Sequence, residues 1–443
     1  MAVMQEWARC SRSPSGSRVE VDVRRQEERY GEYMKAKLTH MLLAFLGLAL
    51  LLSNVVAIPA QGQSVTYKLT VLHSFKGGIV DGGRPWGGLV RDAAGNLYGT
   101  AFHGGIDGCP GIAGCGIVYK MDPNGKETVL HAFAGPDGGG PMGGLVRDEQ
   151  GNLYGTTSAG GDPNCFCGVV YKLDPSGRVT VLHVFTDGFP YGYAGPTTGL
   201  VRDAEGNLYG TYETNGGLQA GSVFKIDAQG RFHQIHAFQG WDGNNPYLDP
   251  LTLDAEGNLY GVTSYGGASG SGSLFKLDHA GKISVLYSFT GGTDGGFPTG
   301  SLVIDKAGDI YGATYQGGGL FPATNLGAGV VFKLEKTGKY SLLKTFKVEG
   351  IAGGSDGTFG GGFITDKAGN LYGTTAWDGA YGGGSVFMVD PAGKFRTLYS
   401  FKPGGSGGGP FAPVIQDADG NLYGTTFSGG EFGEGVVFEL SPN

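Results

Sequence analysis

Short apolar runs of strand length, punctuated by Gly, Asp, Asn and Pro, return in a fixed order along most of this chain. In the first copy the runs are Gly87 to Asp92, Leu97 to Ala101, Gly116 to Asp122 and Thr128 to Phe133, each rich in Leu, Val, Ile, Tyr, Phe or Thr. That alternation predicts short antiparallel strands and leaves no interval for a helix. Gly-Asn-Leu-Tyr-Gly or a near copy marks every repeat. Its second residue stands at Asn96, Asn152, Asn207, Asn258, Asp309, Asn370 and Asn421, between 51 and 61 residues apart.

Four strands per unit, apolar on both faces, predict a propeller blade covered by a neighbour on each side. The chain ends distinguish a closed ring from an open array. The last repeat supplies Ala412 to Asp417, Leu422 to Phe427 and Val436 to Leu440 and then stops at Asn443 without a fourth strand. Val71 to Phe75 copies the missing fourth-strand pattern of Val129 to Phe133, with no three strands before it. The expected fold is therefore all-β: a seven-bladed β-propeller of four antiparallel strands per blade, its ring closed by the N-terminal strand completing the last blade. Closure of this kind removes the exposed edges of an open array.

Turn chemistry predicts two unlike ends. Asp92 to Asn96 and Asp122 to Gly125, with their copies, are tight Asp/Gly hairpins joining first to second and third to fourth strands. The connections from second to third strand and from blade to blade vary in length and composition. Function is expected on that variable face, carried by loops on a rigid scaffold.

The first sixty residues follow a different pattern. Residues 1–33 are charged and aperiodic, and are expected to be an extension outside the fold, with Met34 as the natural start. Residues 34–60 hold Lys35 and Lys37, the apolar run Met41 to Leu52 and then small residues, the grammar of a signal peptide. The run is too short to span a bilayer. A cleaved, exported protein without a stable membrane span is expected, with residues 61–443 as the propeller.

Of 32 Lys and Arg against 40 Asp and Glu, the first sixty residues hold eight and six, so export leaves 24 against 34. No basic stripe interleaved with aromatics appears, so no nucleic-acid partner is expected. Four cysteines, Cys109, Cys115, Cys165 and Cys167, remain for an oxidising compartment and suggest two disulfides. A Cys165–Cys167 bridge encloses a single residue, so bridges between the 109/115 and 165/167 loops are expected if those loops are neighbours.

The unit Gly-Leu-Val-Arg-Asp-Ala-Ala-Gly-Asn-Leu-Tyr-Gly-Thr at residues 88–100, with Val-Tyr-Lys-Met-Asp at 118–122 and Val-Leu-His-Ala-Phe at 129–133, resembles the GloVer tandem repeat of exported bacterial proteins. The resemblance covers about residues 65–441. It implies a released or loosely surface-associated protein, since the anchoring segment often found after these repeats is not seen, and it brings no chemistry with it. At the level of single blades the repeat is also similar to lactonase-like and streptogramin-lyase-like propellers, without a matching catalytic motif.

Several features carry candidate chemistry. Asp-Gly-x-x-Pro recurs between blades at Asp81, Asp137, Asp242 and Asp294, with looser copies at Asp187 and Asp356 and Ser406 in the seventh place. Ringing the channel mouth, these carboxylates would form an acidic collar for Ca²⁺ or a cationic or polyhydroxylated ligand. As Asp-Gly turns they would cap nearby backbone N–H groups instead, the simpler reading. Trp86, Phe102, Tyr191, Tyr193, Trp241, Tyr265, Tyr315, Trp377 and Phe427 decorate the variable face, with Trp241 and Trp377 the first choices for glycan stacking. His73, His131, His183 and His236 share one fourth-strand register, too far apart around a ring to hold one metal. Arg91, Arg147 and Arg202 share a first-strand register and are expected to form salt bridges at blade junctions.

No Gly-x-Ser-x-Gly elbow, reactive cysteine or phosphate loop ending in Lys-Ser or Lys-Thr occurs. The expected function is a secreted, monomeric binding module without a cofactor, engaging a glycan, peptide or cell-surface component. A divalent-cation-dependent lyase or hydrolase of the lactonase-like kind is the alternative, and a structural envelope protein the second.

Overall fold

The Asp-rich hairpins explain most of the repeated motif. In a computed structural model that describes residues 66–443, apart from 80, 110–111, 166, 187–194, 214–219, 247–249, 319–328, 347–360 and 378, each hairpin closes on its aspartate. The expected extension and signal segment at residues 1–60 lie outside the described residues. Asp92 Oδ1 accepts from the backbone N–H groups of Ala94 and Asn96 at 3.0 and 2.9 Å. Asp92 Oδ2 accepts from Asn96 Nδ2 at 2.8 Å and from the Tyr98 hydroxyl at 3.0 Å. The same Asp–Asn–Tyr cluster forms at Asp148, Asp203, Asp366 and Asp417. In the fifth blade Asp309 replaces the asparagine and takes Lys333 Nζ at 2.8 Å instead.

The remaining motif letters follow from packing. Leu97 and its copies are buried in the sheet core. Gly99 is obligatory because a Cβ there would lie 2.5 Å from the hydroxyl of Tyr119, the aromatic side chain that lies across the second strand. Thr100 donates to the Gly143 carbonyl of the next blade at 3.1 Å, as do Thr156 to Thr198, Thr374 to Ala412 and Thr425 to Gly87.

Seven four-stranded antiparallel sheets result, six with their strands in sequence order. The first blade comprises Val90–Arg91, Leu97–Ala101, Ile117–Met121 and Glu127–Ala132. The last is assembled from both chain ends: Tyr67–Ser74 pairs with Val436–Pro442, which continues to Leu422–Thr426 and Ile415–Gln416. Asn443 N–H donates to the Thr66 carbonyl at 2.8 Å. The expected seven-bladed propeller, with its shared last blade, is the fold observed.

One apolar contact joins blade to blade all the way round. The phenylalanine ending each outermost strand packs against the third-strand aromatic of the next blade, as Phe75–Tyr119, Phe133–Tyr171, Phe185–Phe224, Phe238–Phe275, Phe289–Phe332, Phe346–Phe387 and Phe401–Phe438. Centroids lie 5.0 to 6.0 Å apart and most pairs meet edge to face, the favoured aromatic geometry. On the tight-turn face, Arg91 stacks over Tyr423 at 5.7 Å and Arg147 over Tyr98 at 5.8 Å. Arg91 and Arg147 thus make cation–π contacts across the junctions, where salt bridges were expected, while the Arg202 charge acts on the Asp148 carboxylate of the neighbouring blade.

The disulfides also correct an expectation. Cys109 bonds Cys115 and Cys165 bonds Cys167, so both bridges close within their own loop rather than between loops. Each loop folds back far enough to bring its Cα atoms to 5.3 and 5.2 Å, inside bridging distance. All four cysteines are buried under the variable face. Among the described residues no helix is long and apolar enough to cross a membrane.

Candidate functional site

The variable face is organised by how each blade begins. Before five of the blade-opening prolines the preceding residue is held at positive φ: Arg84 at 53°, Asn245 at 58° and Phe297 at 53°, each a conformation L side chains rarely adopt, with Gly140 and Gly409 in equivalent places. This bend, ahead of Pro85, Pro141, Pro298 and Pro410, delivers Trp86, Met142, Thr299 and Phe411 to the channel wall. Backbone strain that recurs at one end of a scaffold is characteristic of ligand sites.

Two variable registers meet at that wall. The residue after the opening proline is Trp86, Met142, Thr197, Thr299 or Phe411, and the residue leaving the second strand is Phe102, Glu213, Ser264 or Tyr315. Together with the ring of small residues at Gly87, Gly143, Gly300 and Gly361, they enclose a cavity of about 930 Å³ at the channel mouth, to which all seven blades contribute. Its size suits a ligand of a few sugar rings or less.

The cavity has unlike walls. Blades seven and one provide a packed aromatic block, in which Trp86 stacks on Phe411 at 5.0 Å and meets Phe427 edge-on at 4.8 Å. Arg84 lies over Phe427 at 5.2 Å and reaches Glu434, which also faces His103 at 3.4 Å. Burial, followed by the Arg84 charge, holds the His103 imidazole below its usual range. Blades four and five provide Tyr265, edge-on to Phe297 at 4.9 Å, and Tyr315. Between these walls stands Glu213, whose carboxylate accepts from the buried Thr197 hydroxyl at 3.1 Å. Burial pushes its pKa up to about 7. No Lys, Arg or His lines the described cavity.

The acidic collar does not form among the described residues. Asp81 bonds His73 at 2.9 Å and the Lys76 N–H, Asp137 bonds His131 at 2.7 Å and the Ala134 N–H, and Asp242 bonds His236 at 2.9 Å and the Gln239 N–H. Asp294 replaces the histidine with the Tyr287 hydroxyl at 3.0 Å. Each carboxylate therefore anchors a blade-to-blade turn to an outermost strand, far from the axis, and Ser406 does so for the seventh turn through the Lys402 N–H. Asp187 and Asp356 lie outside the described residues, as do Tyr191 and Tyr193. The described residues hold no cluster of three His, Cys, Asp or Glu side chains placed for a metal ion such as Ca²⁺.

Of the aromatics chosen from sequence, Trp86, Phe102, Tyr265 and Tyr315 line the cavity. Trp377 stands just behind its wall, edge-on to Phe411 at 5.6 Å, and Trp241 projects from the outer loop, 66% exposed. Sequence reasoning passed over Glu213. The signal was available, since aligning the seven copies places a lone acidic residue among Phe102, Ser158, Ser264, Tyr315, Ala376 and Phe427. It also missed that the fourth-strand histidines and the Asp-Gly turns are partners.

Comparison with known proteins bears on the fold. A fungal alcohol oxidase of the AA5 family, solved with copper, is 14% identical and superposes with a TM-score of 0.50 over 86% of this chain and 77% of its own. A gluconolactonase of Xanthomonas campestris is 12% identical, with a TM-score of 0.42 over 85% and 90% of the two chains. PorZ, a surface component of the type-IX secretion system of Porphyromonas gingivalis, is 14% identical, with a TM-score of 0.47 over 79% of this chain and 46% of its own. Curated protein sequences yield no match. The Gloeobacter/Verrucomicrobia repeat matches twice in succession, over residues 58–253 and 250–443, and on that span the chain belongs to this repeat family.

Proposed function

We propose that this protein is an exported binding module, the propeller of residues 61–443 released by cleavage of the segment at 34–60, and that it takes a glycan of the cell surface into the mouth of its central channel. The observation that carries this reading is the cavity wall itself. Aromatic rings at Trp86, Tyr265, Phe297 and Tyr315 share the wall with hydroxyl and amide groups at Ser264, Thr299 and Gln316. Sugar rings present apolar C–H faces and a rim of hydroxyls, and need that combination. The seven-fold rigidity of the scaffold supports it further, because a wall fixed in advance loses little entropy on binding.

The test is a glycan array followed by calorimetry on the secreted, mature chain. Tyr315→Ala is expected to weaken binding of any hit at least about tenfold, the loss of roughly 1.4 kcal/mol. Trp241→Ala, outside the cavity, should leave affinity unchanged. Retained affinity in Tyr315→Ala, or an array without hits, would overturn the reading. N-terminal sequencing of the secreted product checks the cleavage site near Ala57 to Ala60.

A further inference from the structure

Glu213 is out of place in its register. The equivalent side chains are aromatic, hydroxyl or methyl, and a single acid replaces them on one blade. It is half-buried in the cavity wall, and none of the described residues lining that wall is basic. Its one described hydrogen bond comes from Thr197, itself buried, which fixes the carboxyl in place but supplies no charge. A carboxylate withdrawn from water normally acquires a cation close by. None is provided by the described wall, where Glu213 is the sole charged side chain. The other ionisable groups there are the phenols of Tyr265 and Tyr315, and a phenol in either form contributes no cation.

Aromatic rings lining the same cavity, such as Trp86, Tyr265 and Tyr315, are the protein's other means of attracting a cation, through the negative potential of the ring faces. The cavity therefore combines the two kinds of group that recognise an ammonium ion, a carboxylate and aromatic rings, and its described wall holds no basic side chain that would recognise an anion. We propose that the channel mouth is selective for a ligand carrying an ammonium group, with Glu213 as its counter-charge and the aromatic lining at Trp86, Tyr265 and Tyr315 as its apolar, cation-tolerant wall. This rests on the cavity being the binding site and names its ligand as an amine-bearing glycan, such as an oligosaccharide of glucosamine.

Proton coupling follows. Burial, partly offset by the Thr197 hydrogen bond, holds Glu213 up to about 7, so near neutrality its carboxyl is about half protonated. An ammonium ligand stabilises the carboxylate and expels that proton on binding, so affinity rises with pH as the carboxyl ionises. No bond is made or broken beyond this transfer to solvent.

The decisive probe is one whose charge does not change with pH. Choline and its uncharged analogue 3,3-dimethyl-1-butanol differ only in the cationic nitrogen. Calorimetry on the mature chain should show choline bound about tenfold more tightly than the alcohol at pH 8. Choline affinity should fall about tenfold between pH 8 and pH 6, the change in ionised fraction of a group titrating near 7. E213Q, which keeps an acceptor for Thr197, should abolish both the preference and the pH dependence. Should E213Q not fold, the wild-type pH profile decides alone. A free-amine glucosamine oligosaccharide should likewise outbind its acetylated form.

The outcomes separate the two readings. Choline preference without any glycan binding sustains the ammonium site and sinks the glycan. Acetylated and free-amine sugars bound alike, with no preference for choline, overturn the ammonium site and leave the glycan reading standing. Choline preference surviving E213Q removes Glu213 from the site, and no binding of either probe overturns both.

Discussion

Phe75, at the end of the N-terminal strand, packs edge-on against Tyr119 of the first blade, with ring centroids 5.2 Å apart. The contact repeats at every other junction, so a residue more than 360 positions before the last strand in sequence occupies the last blade's place in the ring. Phe75 is fully buried, and the strand carrying it is held by the backbone ladder to Val436–Pro442. Phe75→Ala should cost about 3–5 kcal/mol, the range for emptying a buried phenylalanine site. Phe75→Leu should recover part of that. Chemical denaturation measures both, and an alanine variant within about 1 kcal/mol of wild type would mean that the ring tolerates an open seam.

Tyr119 and Tyr171 carry the only hydroxyls in a register filled elsewhere by Phe224, Phe275, Phe332, Phe387 and Phe438. Both hydroxyls are buried without a hydrogen-bond partner, and burial raises both phenols far above their usual range. Removing an unsatisfied buried hydroxyl returns its desolvation cost, about 1–3 kcal/mol in mutational series. Tyr119→Phe and Tyr171→Phe should each raise the melting temperature. A fall in either would reveal an ordered water or partner on that oxygen.

A Cβ at residue 210 would lie 2.6 Å from the Phe224 ring, with no flexible group able to yield. Gly210→Ala should destabilise by about 1–3 kcal/mol through overpacking. Ala228, in the exposed third-to-fourth-strand turn of the same blade, supplies the control, since Ala228→Ser should change stability by less than about 0.5 kcal/mol.

These positions show why the fold was legible. Each letter of the repeated motif answers a local demand: Asp92 needs Asn96 and Tyr98, Gly99 makes room for Tyr119, and Thr100 reaches Gly143 on the next blade. A demand met seven times is written seven times, and strand count, order and closure follow from it. The site is written once. Glu213 and Thr197 belong to separate registers of the third blade, and neither segment alone announces the hydrogen bond that joins them. Repetition misdirected the reading of Asp81, Asp137 and Asp242, whose recurrence reflected a turn anchored to a histidine rather than a shared ligand. The disulfides failed for a related reason, because the fold of each irregular loop has no second copy to compare.

Acid should unfold the propeller through its hairpins. Burial raises the carboxyls of Asp92, Asp148, Asp203, Asp254, Asp366 and Asp417, but hydrogen bonds from the paired asparagine and tyrosine outweigh it and hold all six below the ordinary range. A carboxyl depressed in the folded state contributes stability that is complete above its unfolded pKa, about 4, and is lost as pH falls through the folded value. Stability should therefore fall steeply below about pH 4. Asp148→Asn should flatten that fall while lowering stability at pH 7, a crossing visible in melting curves. Parallel profiles would remove the hairpin carboxylates as the cause.

Glu213 reverses the sign. Burial raises its pKa to about 7 in the folded chain, so the ionised carboxyl is less at ease folded than unfolded. Its contribution is fully favourable below the unfolded value, about 4.5, and is lost as pH rises towards and through 7. Glu127, at the start of an outermost strand, is pushed to about 7 by burial and then by the Asp81 charge, and acts in the same direction. Two such groups predict that the ligand-free propeller is less stable at pH 8 than at pH 5.5. Glu213→Gln retains an acceptor for Thr197 and removes the charge, so the variant should match wild type near pH 4.5 and exceed it above pH 7. Comparing each variant with wild type at the same pH cancels the share of Glu127, which Glu127→Gln should reproduce independently. An equal or lower melting temperature for Glu213→Gln at pH 8 would mean that a cation or water already serves the carboxylate, and the space for an ammonium ligand beside it would then be filled.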